Sequence, residues 1–229
     1  GLGVLLRGLK ERTTNITAVV TVADDGGSSG RLREEFNLMP PGDIRQCLAA
    51  LADSESLMHD LMEYRFSRGQ GLQGHSLGNL LIAAMADLND GNFERGVNAI
   101  SEVLRIRGRI VPSTLSDVRL AAEMVDQSIV RGESRIRSAG KRISRVFIEP
   151  RFVSANGEAI KEILAADMIV FGPGSVFTSV IPNLLVSDVA TAVRVSKAVK
   201  VYVCNVATEP GETDGYGAAD HVMSFTQHV

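Results

Sequence analysis

Three stretches of the sequence gather the residue types from which a site for a charged, hydroxyl-bearing molecule can be built. The first is Asp24-Asp25-Gly26-Gly27-Ser28-Ser29-Gly30-Arg31. Its glycines let the backbone approach a ligand, its hydroxyls donate, and its two adjacent carboxylates can hold a metal or a ribose. Acid pairs beside glycines also make ordinary surface turns, so these residues alone leave both readings open. The second is Gly172-Pro173-Gly174-Ser175, followed by Thr178, Ser179 and Asn183. A turn that leads into a hydroxyl-rich helix start exposes backbone N–H groups, which suits an anion. The plainer reading makes Ser175 an N-cap and the glycines mere turn residues. The crowding of glycines and hydroxyls favours phosphate. The third stretch, Asn205-Val206-Ala207-Thr208-Glu209-Pro210-Gly211-Glu212-Thr213, offers an amide, hydroxyls and acids.

Smaller signals accompany these. Gly1 and Gly3 have the look of the tail of a phosphate-binding turn. Pro41-Gly42-Asp43-Ile44-Arg45 opens a helix, with Asp43 as its cap and Arg45 as an anion partner, or as a solvated surface cation. Gly74-His75-Ser76-Leu77-Gly78-Asn79 places His75 and Asn79 near a helix N-terminus, where negative charge is favoured, although a lone His is more often structural. Asp220 and His221 are sequence neighbours, which rarely face each other, so they read as a cap and a structural hydrogen bond. No GxSxG elbow, HExxH pair or GxxxxGK[ST] loop occurs, and no lysine stands in a glycine-rich loop. These absences argue against a P-loop nucleotide triphosphatase.

The elements that must position these residues alternate. Asn15 to Ala23 is a β-branched apolar run suited to a strand buried on both faces, ending in a loop over Asp24 to Gly30. Helical periodicity then spans Ile44 to Leu51, Leu57 to Arg65, Leu77 to Leu88 and Phe93 to Leu104, an all-helical insert over about 42–106. A β-rich excursion follows over about 109–137, with its turn expected at Val130-Arg131-Gly132-Glu133. Strand and helix then alternate: Ile143 to Ile148, Glu158 to Ala165, Met168 to Phe171, Phe177 to Leu185, Val189 to Ser196 and Lys200 to Val206. This order predicts an α/β fold with a doubly wound, mainly parallel sheet, in which ligands sit outside the carboxyl ends of the strands. All three chemical stretches follow strands. The chain opens on glycines with no strand before them and closes partway into another element, so it reads as one domain over 1–229 truncated at both ends.

With 229 residues, 45% hydrophobic and 22% charged, the chain can bury a sizeable core, which excludes disorder and a disulfide scaffold. A net charge of −3 gives no electrostatic reason to expect nucleic acid or membrane. Cys47 and Cys204 are too few and too far apart for a metal knuckle or redox pair. No signal peptide or spanning run is visible, and a cytoplasmic location is expected.

Taken together, Thr21 to Arg33, Pro41-Gly42-Asp43-Ile44-Arg45, Gly74 to Asn79, Gly172-Pro173-Gly174-Ser175, Pro182-Asn183-Leu184-Leu185 and Pro210-Gly211-Glu212-Thr213 resemble the gluconeogenesis factor family, within the CofD-like superfamily of 2-phospho-L-lactate transferase. The resemblance spans nearly the whole chain. It implies a Rossmann-like sheet with a helical insert, and a cytoplasmic bacterial protein that binds UDP-sugars such as UDP-N-acetylglucosamine. It also implies a part in growth on gluconeogenic carbon sources, in cell shape and in cell-wall synthesis, with no established reaction and no required cofactor. On that reading Gly1, Gly3, Gly172, Gly174 and Ser175 cradle the diphosphate, Asp24 or Asp25 binds sugar or ribose hydroxyls, and Asn183, Asn205 and Thr208 complete the pocket. Ser28, Ser29, Asp43, Arg45, His75, Asn79 and Thr178 are further ligand candidates. A homo-oligomer and cell-wall synthesis proteins are the expected partners. The alternative is a transferase acting on a guanylated donor, with Asp24, Asp25 and Asp43 holding magnesium.

Overall fold

The computed structural model describes residues 1–53 and 56–228; Ser54 and Glu55, inside the expected helical insert, and the terminal Val229 lie outside the described residues. Contacts divide the chain into two compact units, Gly3–Pro112 and Ser113–Val229 together with Gly1–Leu2.

In the N-terminal unit, strand β1 (Thr17–Val20) pairs in parallel with β2 (Arg109–Pro112), in a register running from Thr17 opposite Arg109 to Val20 opposite Pro112. Helix α1 (Leu2–Leu9) precedes β1, and among the described residues five helices stand between the strands: α2 (Gly27–Phe36), α3 (Gly42–Leu51), α4 (Ser56–Glu63), α5 (Leu77–Asp87) and α6 (Phe93–Val103). Leu32, Ile44, Leu48, Leu51, Met62, Ile82 and Ile100 are fully buried and supply the core. Each such side chain contributes roughly 1.5–3 kcal/mol on leaving water. Helices α5 and α6 lie close because Gly96 has no side chain; a Cβ there would come within 2.6 Å of the Ala86 nitrogen.

Four helices of this unit follow the sequence periodicity, whereas α2 does not. Its first turn, Gly-Ser-Ser-Gly, carries no apolar marker, so the stretch from Asp24 reads as a loop. The loop in fact ends at Gly26, whose backbone is extended at φ −87° and ψ 147° and whose N–H donates to Asp24 Oδ1 at 2.8 Å. That Asx turn starts the helix, and burial of Leu32 and Arg33 holds it.

The C-terminal unit begins with an antiparallel sheet in the order β4-β3-β5, formed by β3 (Arg119–Met124), β4 (Ile129–Arg131) and β5 (Ile143–Glu149). The hairpin turn lies at Val125 to Ser128, not at Val130 to Glu133. Gln127 takes the left-handed conformation at φ 66°, and its N–H donates to the Met124 carbonyl at 2.9 Å. Gly132, with φ 101°, instead ends β4 and leads into α7 (Glu133–Ser138). Beyond this sheet, α8 (Gly157–Ala165), β6 (Met168–Phe171), a π-helical turn (Val176–Val180), α9 (Ile181–Leu184), α10 (Ser187–Val195), β7 (Val199–Tyr202) and α11 (Ala218–Thr226) complete the unit. Strands β6 and β7 are parallel, with Met168 opposite Val199 and Phe171 opposite Tyr202.

Each unit thus holds a parallel pair with crossover helices, the mixed α/β, Rossmann-like architecture that the alternation predicts. The three chemical stretches stand at the carboxyl ends of β1, β6 and β7. Among the described residues no single helix is long and apolar enough to cross a membrane.

Candidate functional sites

In the N-terminal unit the loop after β1 meets the starts of α2, α3 and α5. Ser28 and His75 are both 3% exposed, and Ser28 Oγ lies 3.0 Å from His75 Nδ1. The Ser76 N–H donates to the same Ser28 oxygen at 3.3 Å, so one hydroxyl joins the His75 ring to the start of α5. Burial, reinforced by the positive charge of Arg31, lowers the His75 pKa from its ordinary value. Beside this pair, Asn79 Nδ2 donates to Ser29 Oγ at 3.4 Å, while the buried Asn79 Oδ1 finds no hydrogen-bond partner. A Cβ on Gly42 would collide with Asp24 Oδ2 and stand 2.6 Å from Ser29 Oγ. Asp24, Ser29, Gly42 and Asn79 therefore converge on one spot.

Neighbouring candidates are placed differently. Asp43 is not the cap of α3; the N-cap is Pro41, two residues earlier, the helix starts at Gly42, and Asp43 lies in the first turn. Arg45 is buried, and its Nη1 is spent on the Met62 carbonyl at 3.2 Å and the Glu63 carboxylate at 2.6 Å, tying α3 to the end of α4. Asp25 presents its carbonyl to Gly30, where a Cβ would clash. Gly3 sits within α1, where an added Cβ would meet the Ala50 Cβ at an ordinary 3.7 Å.

In the C-terminal unit the loops after β6 and β7 clamp each other. Gly172 turns at φ 76°, where a Cβ would stand 2.8 Å from the Val203 carbonyl. The Asn205 side chain accepts from the Gly174 N–H at 3.1 Å, and donates to the Gly174 carbonyl at 3.0 Å and to Glu209 at 3.3 Å. Gly1 packs against Pro173, leaving no room for a side chain of its own. One turn on, the Thr178 hydroxyl donates to Glu212 Oε1 at 2.6 Å, and Arg137 donates through Nε to that oxygen at 3.2 Å. Arg137 Nη2 also reaches Thr178 Oγ1 at 3.2 Å, Ser175 Oγ at 3.4 Å and Glu133 at 2.9 Å. Glu212 Oε2 is buried without a partner. Burial raises the Glu212 pKa, against the opposing pull of Thr178 and Arg137. For Arg137, burial works against the charge, but Glu133 and Glu212 outweigh it and raise its pKa.

Ser175 makes no side-chain cap; its hydroxyl faces Arg137 instead. Asn183 donates back to the Ser179 carbonyl at 2.9 Å, and its buried Oδ1 lacks a partner. Thr208 is exposed on the same loop as Asn205. Sequence reasoning missed Arg137 and Glu212 as members of this network. Glu212 lay in a stretch already marked, but Arg137 comes from α7, and no local signal ties that helix to a distant loop. Asp220 and His221 form no dyad: Asp220 accepts from the Gly217 N–H at 2.7 Å, and His221 Nδ1 lies 2.9 Å from the Gly217 carbonyl.

For a metal, the donor set is small. Among the described residues no three His, Cys, Asp or Glu side chains gather, so a cation near Asp24 would draw on one or two carboxylates, the Ser29 hydroxyl and solvent oxygen. Magnesium is commonly held in that manner.

Comparison with known proteins covers the whole chain. A family model described as 2-phospho-L-lactate transferase CofD matches residues 1–229. A gluconeogenesis factor of Bacillus subtilis is 53% identical over 229 residues, which are 100% of this chain and 72% of that protein. A relative from Nostoc sp. is 58% identical over 98% of this chain, which spans only 49% of the Nostoc protein. A crystal structure of protein BH3568 from Bacillus halodurans superimposes with a TM-score of 0.96 at 52% identity, covering 100% of this chain and 73% of that one.

Proposed function

We propose, for a chain that belongs to the gluconeogenesis factor family within the CofD-like group, that it is a regulatory protein binding a nucleotide sugar of the UDP-N-acetylglucosamine kind. One observation carries the reading: the Gly172–Ser175 turn at the carboxyl end of β6 is held rigid by Asn205 from the loop after β7. A pre-formed turn loses little entropy when it takes a ligand. The first-turn N–H groups beyond Ser175 suit a diphosphate, with the Arg137 guanidinium 3.4 Å from the Ser175 hydroxyl. The acids around it, Glu133, Glu209 and Glu212, are acceptors suited to the hydroxyl groups of a sugar or ribose beside the diphosphate. The regulator would act in the cytoplasm, in carbon metabolism and cell-wall synthesis, as a homo-oligomer and without a required cofactor.

A second reading rests on the Asp24, Ser29 and Asn79 cluster. There a carboxylate, a hydroxyl and an unpartnered amide oxygen converge, as a transferase would need to hold magnesium or an acceptor hydroxyl.

Thermal unfolding of the full chain with UDP-N-acetylglucosamine, UDP-glucose, GDP or GTP, each with and without magnesium, separates the two. A rise with UDP-sugars that ignores magnesium supports the regulator. A rise with guanine nucleotides that needs magnesium supports the transferase. No response to any nucleotide defeats both and leaves an interaction protein. Gly174→Val should abolish the UDP-sugar response and still fold, because a Cβ at that position meets nothing closer than 3.8 Å.

A further inference from the structure

Helix α11 is seated by an imidazole whose two nitrogens are both committed to backbone groups. His228, just past its end, has Nδ1 2.6 Å from the Ser224 carbonyl, and its Nε2 receives the Val146 N–H at 2.9 Å. A carbonyl can only accept and an N–H can only donate. The ring is therefore neutral, with its hydrogen on Nδ1 and a bare lone pair on Nε2. Strand β5 is an outer strand of its sheet, and His228 occupies the Val146 N–H in place of another strand. The same ring meets Phe177, in the π-helical turn, edge-on with centroids 5.9 Å apart.

We propose that His228 is a pH-sensitive latch that holds α11 on β5 and the π-helical turn while neutral and releases it when protonated. A proton on Nε2 would face the Val146 N–H, replacing a hydrogen bond by two opposed donors, and the buried Val146 donor would lose its partner. The charges around the ring do not favour the imidazolium. Arg145, next to Val146 on β5, is cationic, and Glu123 on β3 offsets it by pairing with it at 2.7 Å. The π-helical turn brings no ionisable side chain. On α11 itself, Asp220 and His221 lie further back, with the Asp220 carboxylate turned to the Gly217 N–H. Burial, the largest influence, and Arg145 lower the His228 pKa below its ordinary value, although the Ser224 bond opposes them. The sign follows. With the folded value depressed, the latch is fully formed above the ordinary imidazole pKa and is lost as pH falls below it. The inference is independent of the identity of any ligand.

The test uses the full chain and two readouts. Ring nitrogen resonances at pH 7.5 should show His228 Nδ1 protonated and Nε2 bare; the opposite tautomer overturns the proposal on the wild type alone. Hydrogen exchange at the Val146 amide, expressed as protection relative to its intrinsic rate, should fall between pH 7.5 and 5.5, by up to about tenfold per pH unit below the ordinary imidazole value. His228→Gln keeps an acceptor at the end of the side chain but cannot gain a proton, so its protection should stay high and flat. His228→Phe should lose protection at both pH values. Flat protection in the wild type, or an acid-dependent fall retained in His228→Gln, overturns the latch.

Discussion

Gly42 shows how much one missing side chain decides. It opens α3 directly under Asp24 Oδ2 and Ser29 Oγ, so Gly42→Ala drives a methyl group into the cluster. The urea midpoint should fall by the equivalent of about 1–3 kcal/mol, with an unchanged denaturant slope. Gly157→Ala is the contrast: it stands at the start of α8 with open space around its Cβ, and the same measurement should show no loss. Glu212 offers a second residue test. Burial raises its folded-state pKa above the unfolded value, so the carboxyl is easier to carry protonated than charged. Stability from this group is therefore full in acid and declines as pH rises through the ordinary carboxylate range toward the raised value. Glu212→Gln should flatten that decline in denaturant midpoints followed from pH 4 to 8.

Among the elements, α3 and α4 depend on a buried cation. Arg45 donates to the Met62 carbonyl and pairs with Glu63, so Arg45→Met should cost about 0.5–1.5 kcal/mol by removing that hydrogen bond and the Glu63 pair while the Ser76 hydroxyl still donates to the carbonyl at 3.3 Å, read in chemical unfolding. The loss should shrink little in high salt, because the hydrogen bond is buried. At the same scale, Asn205→Ala should release the Gly174 turn and weaken nucleotide-sugar binding more than it lowers the melting temperature, a split that titration calorimetry beside a thermal melt would show. The helices with a clear apolar period, α3, α5, α6 and α8, were legible because a buried stripe writes itself into the sequence. Helix α2 was not, because its first turn is glycine and serine. The π-helical turn read as plain helix, since local composition does not distinguish one extra residue per turn.

For the whole molecule, the expected ligand response is large enough to decide the functional reading. A ligand that binds only the folded chain, at about 100 times its dissociation constant, adds roughly 2.7 kcal/mol. In a protein of this size that is a rise in melting temperature of about 5–10 °C. The same measurement on longer relatives would show how much of the response this part of the protein carries, since the chain spans 49–73% of the relatives compared.

Motif wording and alternating periodicity were enough, without any structure, to determine the fold class, the family and the three loops that follow strands, because turn residues and buried stripes are local properties. The partners of those loops were decided only in three dimensions. Arg137 reaches Thr178 across 41 residues, Asn79 reaches Ser29 across 50, and His228 reaches Val146 across 82. No local propensity encodes such pairings. They exist because packing brings the ends of separate elements together, and because a buried polar group must find whichever partner that packing supplies.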